Sequence, residues 1–129
     1  MNRNKTICII EDDPNYLMLT QKMIEFTTLF KEILTFRNGK QAFEGLMDWK
    51  ASHGDFPDFI LLDINMPIWD AWDFLDEFSK HTQDWNGVVY IITSSIDKVD
   101  ESKSKEYSLV KGYLKKPVGF EKIIEIFNL

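Results

Sequence analysis

With 129 residues, 44% of them hydrophobic and 28% charged, the chain has the size and composition of one globular domain, which we expect to span residues 1–129. Its net charge of -6 argues against a general nucleic-acid binder, because such proteins need a basic surface. No apolar run is long enough to cross a membrane or form a signal peptide, and the single cysteine, Cys8, lies in an apolar run, so we expect a cytoplasmic protein.

Short apolar runs alternate with helical periodicity along the whole chain. The predicted strands are 6–10, 33–36, 59–62, 88–92 and 112–115. The predicted helices run from Pro14 to about Thr27, through Ala42, Leu46 and Trp49, from Ala71 to Phe78 after an Asp70 N-cap, from Lys98 to Tyr107, and from Phe120 to Phe127.

This alternation of strand and helix, five times over, predicts an α/β fold. Right-handed crossovers then place helices on both faces of a doubly wound parallel sheet. Five strands favour the flavodoxin-like order 2-1-3-4-5, which has its ligand site where strands 1 and 3 meet.

The third predicted strand carries four apolar residues, 59–62, directly into Asp63. A run that is apolar on both faces is typical of a central strand in a parallel sheet. Asn65 and Pro67 break the pattern, so Asp63 should lie at the C-terminal tip of the strand, where open α/β sheets bind ligands. The alternative is that Asp63 only caps the next helix.

Polar side chains follow the other central strands at the same sheet edge. Glu11 and Asp12 end the first strand, Thr93 the fourth and Lys116 the fifth, so three carboxylates, a hydroxyl and an ammonium should converge with Asp63. Such carboxylates repel unless a cation intervenes, and Mg²⁺ suits a site of this kind. One carboxylate could then attack phosphorus, while the cations neutralise the transferring oxygens. Taken singly, the acidic residues could instead cap the first helix, and Lys116 could be a solvated surface lysine.

Four segments together resemble the receiver domain of two-component response regulators, and the resemblance covers essentially the whole chain. Each segment alone is a weak signal, but four in order at these spacings are specific. They are Ile7–Asp13, Leu61–Pro67, Ile91–Ser94 and Gly112–Pro117.

The resemblance implies a phosphoacceptor and a metal site. Asp63 would accept a phosphoryl group from a sensor histidine kinase or a histidine phosphotransfer protein. Glu11 and Asp12 would hold Mg²⁺ together with Asp63 and the backbone carbonyl of Asn65, with Asp12 a direct ligand and Glu11 acting through water. The protein would therefore be a phosphoacceptor with self-phosphorylation and autodephosphorylation activity, and not an enzyme in the ordinary sense.

The resemblance also implies a conformational switch. Thr93 and Lys116 would bond the phosphoryl oxygens, and Tyr113 matches the family's switch aromatic, which turns inward as Thr93 moves toward the phosphoryl group. Receiver domains usually have a cis bond where this chain has Lys116-Pro117, so we expect a cis bond here.

The chain departs from the family pattern between Pro67 and the third helix. Ile68 and Ala71 stand where glycine is usual, and Trp69 and Trp72 are bulky. We therefore expect that loop to be stiffer or specific to a partner, although no expected ligand is lost.

In receiver domains the residues two past the acceptor and two past the threonine flank the water that hydrolyses the acyl phosphate. Here these are Asn65 and Ser95, both small and polar, so we expect the phosphoryl group to be lost in minutes without a partner phosphatase.

Two functions of other classes stay open. A haloacid-dehalogenase-like aspartyl phosphatase needs a second aspartate two residues after the nucleophile, where this chain has Asn65. A phosphorylation-independent interaction module would not need the acidic pair or Lys116. Because no output domain follows the last helix before Leu129, we expect the signal to pass to a downstream protein partner.

Overall fold

The computed structural model describes residues 5–94 and 97–127. The strands are β1 (Lys5–Ile10), β2 (Phe30–Phe36), β3 (Phe59–Asp63), β4 (Val88–Thr93) and β5 (Val110–Lys115). The helices are α1 (Pro14–Thr27), α2 (Gly39–His53), α3 (Ala71–Phe78), α4 (Lys98–Ser104) and α5 (Phe120–Phe127), and a 3₁₀ turn spans Ser79–His81. All strand pairs are parallel in the order β2-β1-β3-β4-β5, which confirms the predicted doubly wound α/β topology. None of the described helices is long and apolar enough to cross a membrane.

Alternate residues of the central strands point to opposite faces of the sheet and contribute to two hydrophobic cores, one on each face. Cys8, Ile60 and Leu62 pack under α2 and α3, while Ile9 and Leu61 pack under α1 and α5. All five residues of β3 are buried, so the strand that ends in Asp63 lies at the centre of the fold. The ends of the three central strands are thereby fixed by packing on both faces.

Both edge strands are longer than predicted. β2 begins at Phe30 and not at Ile33. The prediction missed this start because Lys31 and Glu32, both exposed on this edge strand, interrupt the apolar run. β5 begins at Val110 and not at Gly112. An edge strand pairs on one side only, so its sequence needs fewer apolar residues and gives a weaker signal.

Helix α4 is shorter than predicted, because it ends at Ser104 and not at Tyr107. The Tyr107 hydroxyl instead donates a 2.6 Å hydrogen bond to Asp76 on α3, and the Tyr107 ring stacks on Trp72 at 5.9 Å. These contacts draw Tyr107 toward α3 and out of the helical path.

Asp13 and Asp70 act as helix caps. Asp13 accepts hydrogen bonds from the backbone of Asn15 and Tyr16, and Asp70 forms a reciprocal capping box with Asp73. The N-cap of α1 is therefore Asp13, which leaves the carboxylates of Glu11 and Asp12 for the sheet edge.

The loop after Asp63 is held against α2 by a close backbone contact. The Gly39 N–H donates to the Trp69 carbonyl at 3.2 Å, and the Trp69 ring packs on Phe43 at 5.6 Å. Ile68 adopts φ 70°, a conformation rare for a β-branched residue. The glycine usual in the family at that position would adopt this conformation without strain.

We predict that Gly39→Ala destabilises the fold by about 1–3 kcal/mol, although alanine is the better helix former. An added Cβ at residue 39 would lie 2.8 Å from the Trp69 carbonyl oxygen and 2.9 Å from its Cβ. Urea unfolding measures the effect. The matched control is Gly119→Ala, whose Cβ would meet nothing within 4 Å. Equal stability of the two variants would contradict this reading of the loop.

Candidate functional site

The predicted polar residues meet in a cleft of about 630 Å³ at the C-terminal edge of the sheet. Parallel pairing of β1 with β3, β3 with β4 and β4 with β5 brings these strand ends to one edge. The cleft is lined by Glu11, Asp12, Asp13, Tyr16, Leu19, Asp63, Asn65, Thr93, Ser94, Lys116 and Pro117.

Three carboxylates form the floor of this cleft. One oxygen each from Glu11, Asp12 and Asp63 lies within 4.8 Å of the others. Glu11 is 1% exposed and Asp63 7% exposed, so water screens their mutual repulsion poorly. A cluster of this kind, with oxygen ligands only, is suited to a hard divalent cation such as Mg²⁺.

Lys116 neutralises part of this negative charge. Its ammonium nitrogen lies 2.6 Å from Glu11 Oε1 and 3.2 Å from Asp63 Oδ1. Burial alone would lower the pKa of Lys116, but the hydrogen bond to Glu11 and the charges of Asp63 and Glu11 outweigh it and raise the pKa. Lys116 is therefore a fixed cation at the floor of the cleft.

The Asp63 carboxyl group has a raised pKa. Burial, followed by the negative charge of Glu11, raises its pKa to about 7, against the opposing attraction of Lys116. Asp63 Oδ1 also accepts a 3.0 Å hydrogen bond from the Ile64 N–H. Asp63 is thus held in one orientation while its negative charge lacks full compensation.

Asp12 differs from its neighbours in being half-buried. Its backbone carbonyl accepts a 2.8 Å hydrogen bond from the Arg37 guanidinium, and the Glu11 N–H donates to the Phe36 carbonyl at 2.9 Å. Contacts from β2 and the residue after it therefore hold the backbone that presents both acids. Arg37 belongs to no motif. Its contact with Asp12 could not be predicted from the sequence, because the two residues are far apart along the chain.

Thr93 lies on β4, next to the strand that carries Asp63, and Tyr113 lies on the following strand, β5. Thr93 is buried at the end of β4, and its carbonyl accepts a 2.7 Å hydrogen bond from the Lys116 N–H. The Tyr113 hydroxyl is buried close to the Thr93 side chain and the Asp97 backbone. Burial, followed by the charge of Asp100, raises the pKa of Tyr113. Thr93 therefore lies where it can contact both the cleft and Tyr113.

The remaining predicted features fall in the loops around the cleft. Asn65 is exposed at its rim, and the Lys116–Pro117 peptide bond is cis, as predicted. Ser95 lies outside the described residues. Trp69 packs on Phe43 of α2, so it does not cover the acidic floor.

Tyr16 also reaches the site, although it belongs to none of the four motif segments. Its ring centroid lies 4.4 Å from Lys116 Nζ, and its hydroxyl accepts a 3.3 Å hydrogen bond from the Val118 N–H. Sequence reasoning could have placed Tyr16 near the site from its position just after the N-cap of α1, because α1 begins beside the acidic residues that follow β1.

Comparison with known proteins gives one consistent assignment. A two-component response regulator from Cytophaga hutchinsonii has a TM-score of 0.87 and 27% identity, covering 98% of this chain and 96% of that one. The phosphorylated cyanobacterial phytochrome response regulator RcpA has a TM-score of 0.77 and 26% identity, covering 96% of this chain and 89% of its own. A probable methanogenesis regulatory protein, FilR2, from Methanothrix harundinacea is 24% identical over 115 residues, covering 89% of this chain and 74% of that protein.

The family model for the response regulator receiver domain matches residues 7–128, which include all the strand ends described above. The order of strands and the full-length likeness to solved response regulators agree with that match. The chain therefore belongs to the response regulator receiver domain family.

Proposed function

We propose that Asp63 accepts a phosphoryl group from a histidine of a sensor kinase or phosphotransfer protein, in a reaction that depends on Mg²⁺. The observation that carries this proposal is the arrangement of Asp63 beside two acids and one cation, with Lys116 Nζ 3.2 Å from Asp63 Oδ1. A likeness to a regulator described as phosphorylated supports it.

The residues present fit a magnesium ion. Glu11, Asp12 and Asp63 would hold it with the backbone carbonyl of Asn65, and their clustered oxygens are the ligands that Mg²⁺ prefers. When bound, the ion supplies positive charge that offsets the carboxylates and the oxygens of the transferring group. It would also offset the negative charge of Glu11, which acts together with the larger effect of burial to raise the pKa of Asp63 to about 7.

The transfer itself needs little from the chain beyond positioning and charge. A carboxylate oxygen of Asp63 attacks phosphorus and forms the new P–O bond as the P–N bond to the donor imidazole breaks, with its electron pair going to nitrogen. Lys116 and the Thr93 hydroxyl bind the phosphoryl oxygens, where negative charge is spread. This acceptor chemistry acts on the protein's own side chain, so we propose a signalling domain and not an enzyme with a separate substrate.

The output would pass through Thr93. Engagement of its hydroxyl by a phosphoryl group changes the surroundings of the buried Tyr113 hydroxyl. Helix α4, next along the chain, buries only Ser104 among its residues, which suits an element that moves at low cost. We propose that a protein partner, in the cytoplasm, binds the surface altered in this way.

No feature of the described residues supports the aspartyl phosphatase alternative. Asn65 lies at the position where that mechanism needs its second aspartate, and an amide cannot exchange a proton as a carboxylate can. An interaction module without phosphorylation has no use for three carboxylates held within 4.8 Å. The phosphoacceptor function is therefore preferred.

We predict that acetyl phosphate with Mg²⁺ adds one phosphoryl group to the protein, and that Asp63→Asn abolishes the addition. Asparagine keeps the shape of the side chain and removes the nucleophile. Intact-mass spectrometry measures the product. The matched control is Asp48→Asn, an exposed aspartate on α2, which should react like the parent. Aspartyl phosphate formed on Asp63→Asn would refute the assignment.

We also predict that Asp63→Asn stabilises the metal-free protein at pH 8 by about 1–2 kcal/mol. At about 1.4 kcal/mol per pKa unit, the rise from 3.8 to about 7 corresponds to about 4 kcal/mol, and the burial of the asparagine amide offsets part of this gain. Because the folded pKa of Asp63 is about 7 and its ordinary value 3.8, the unfolded chain loses this proton first. The contribution of Asp63 to stability is therefore greatest at low pH and is lost as pH rises from about 4 to 7.

Urea unfolding at pH 5 and pH 8 with a chelator tests this, and the gain from Asp63→Asn should be larger at pH 8. Saturating Mg²⁺ should stabilise the parent more than the variant, because the ion binds the folded carboxylates. Asp48→Asn should change stability little at either pH. A gain that does not depend on pH would show that Asp63 is not under electrostatic strain.

Finally, we predict that Asn65→Tyr slows the loss of the phosphoryl group about three- to tenfold, because a bulky side chain at the rim restricts the approach of water. Mg²⁺ affinity should hardly change, since residue 65 is expected to offer only its backbone carbonyl. The measurement is the decay of phosphorylated protein after donor removal. Asn86→Tyr, at an exposed asparagine that does not line the cleft, is the control.

A further inference from the structure

Tyr16 makes a hydrogen bond on each side of the cleft. Its N–H donates to Asp13 Oδ1 at 3.2 Å, within the cap that starts α1. Its hydroxyl accepts a hydrogen bond from the Val118 N–H at 3.3 Å, two residues beyond Lys116. The ring is therefore fixed between the start of α1 and the segment that follows β5.

The face of this ring lies against the Lys116 ammonium, with 4.4 Å between Nζ and the ring centroid. At that distance a cation is attracted by the negative face of an aromatic ring. Lys116 is 14% exposed in its side chain, so little water competes for the contact. Among the residues that the structure describes, the ammonium thus has three partners: Glu11, Asp63 and the Tyr16 ring.

Two of these partners are also expected to hold a divalent cation, Asp63 as a ligand and Glu11 through water. When an ion binds Glu11 and Asp63, their negative charge is shared with it, and the ion repels the Lys116 ammonium. The Tyr16 ring offers no ligand to a hard cation, so its attraction for Lys116 persists. Without that contact the ammonium would have less to hold it in the cleft.

We propose that Tyr16 is a positioning residue for phosphoryl transfer, whose ring face keeps the Lys116 ammonium beside Asp63 once a divalent cation occupies the carboxylates. The inference rests on the proposed function of Asp63. The ring itself touches no reacting atom; it acts through Lys116, which meets the phosphoryl oxygens.

The test compares Tyr16→Leu, which removes the ring, with Tyr16→Phe, which keeps it and loses only the hydroxyl. At saturating Mg²⁺, Tyr16→Leu should slow phosphoryl uptake from acetyl phosphate about three- to tenfold, and Tyr16→Phe should stay within about twofold of the parent. The matched control is Phe26→Leu, at a 77% exposed aromatic near the far end of α1, which should react like the parent.

A double-mutant cycle separates positioning from general damage to the fold. In a Lys116→Gln background, Tyr16→Leu should cause no further loss of rate, because the ring acts only through the ammonium. Proton NMR in Mg²⁺ gives a direct signature: the ε-methylene of Lys116 should show an upfield ring-current shift in the parent and in Tyr16→Phe, and lose it in Tyr16→Leu.

Parent-like uptake by Tyr16→Leu, or equal losses in Tyr16→Leu and Tyr16→Phe, would overturn the inference. So would a further loss in the Lys116→Gln background. These failures are distinct from failure of the proposed function, which would appear as no Asp63-dependent uptake in the parent itself.

Discussion

The ammonium of Lys116 lies between the carboxylates of Glu11 and Asp63, and this ion-pair contact offsets a repulsion that the fold builds in. The buried acids follow parallel strands that end at the same edge of the sheet. Both faces of the sheet are packed, so the acids cannot move apart without disturbing the core. One ammonium does not compensate three carboxylates. Burial, followed by the negative charge of Glu11, raises the pKa of Asp63 against the attraction of Lys116. A site of clustered carboxylates short of positive charge is suited to a divalent cation.

The site extends outward through contacts made by two bulky residues that follow Asp63 along the chain. Trp69 packs on Phe43 of α2, and Trp72 stacks on Tyr107, whose hydroxyl bonds Asp76. The loop after Asp63 is therefore braced against α2, and α3 is tied to the segment that follows α4. Both attachments use residues that follow Asp63 along the chain, so packing links that segment to α2 and to the residue Tyr107 beyond α4.

The sequence predicts the strand order and the acidic cluster because both follow from local patterns. Apolar runs that end in polar residues indicate central strands, and parallel pairing then brings Asp63 and Lys116 to one edge. The start of β2, the end of α4 and the contact of Tyr16 with Lys116 escape such patterns. They depend on exposure at a sheet edge or on side chains that meet only after folding, and no local periodicity encodes either.

The central claim is that the acids at the sheet edge form a divalent cation site that serves Asp63. Its most direct test is a Mg²⁺ titration of the parent and of Asp12→Ala, followed by tryptophan emission, since Trp69 lies on the loop after Asp63. The claim predicts a saturable change in the parent and at least about a tenfold weaker affinity in Asp12→Ala, because a direct carboxylate ligand is lost. Equal affinities in the two proteins would contradict it.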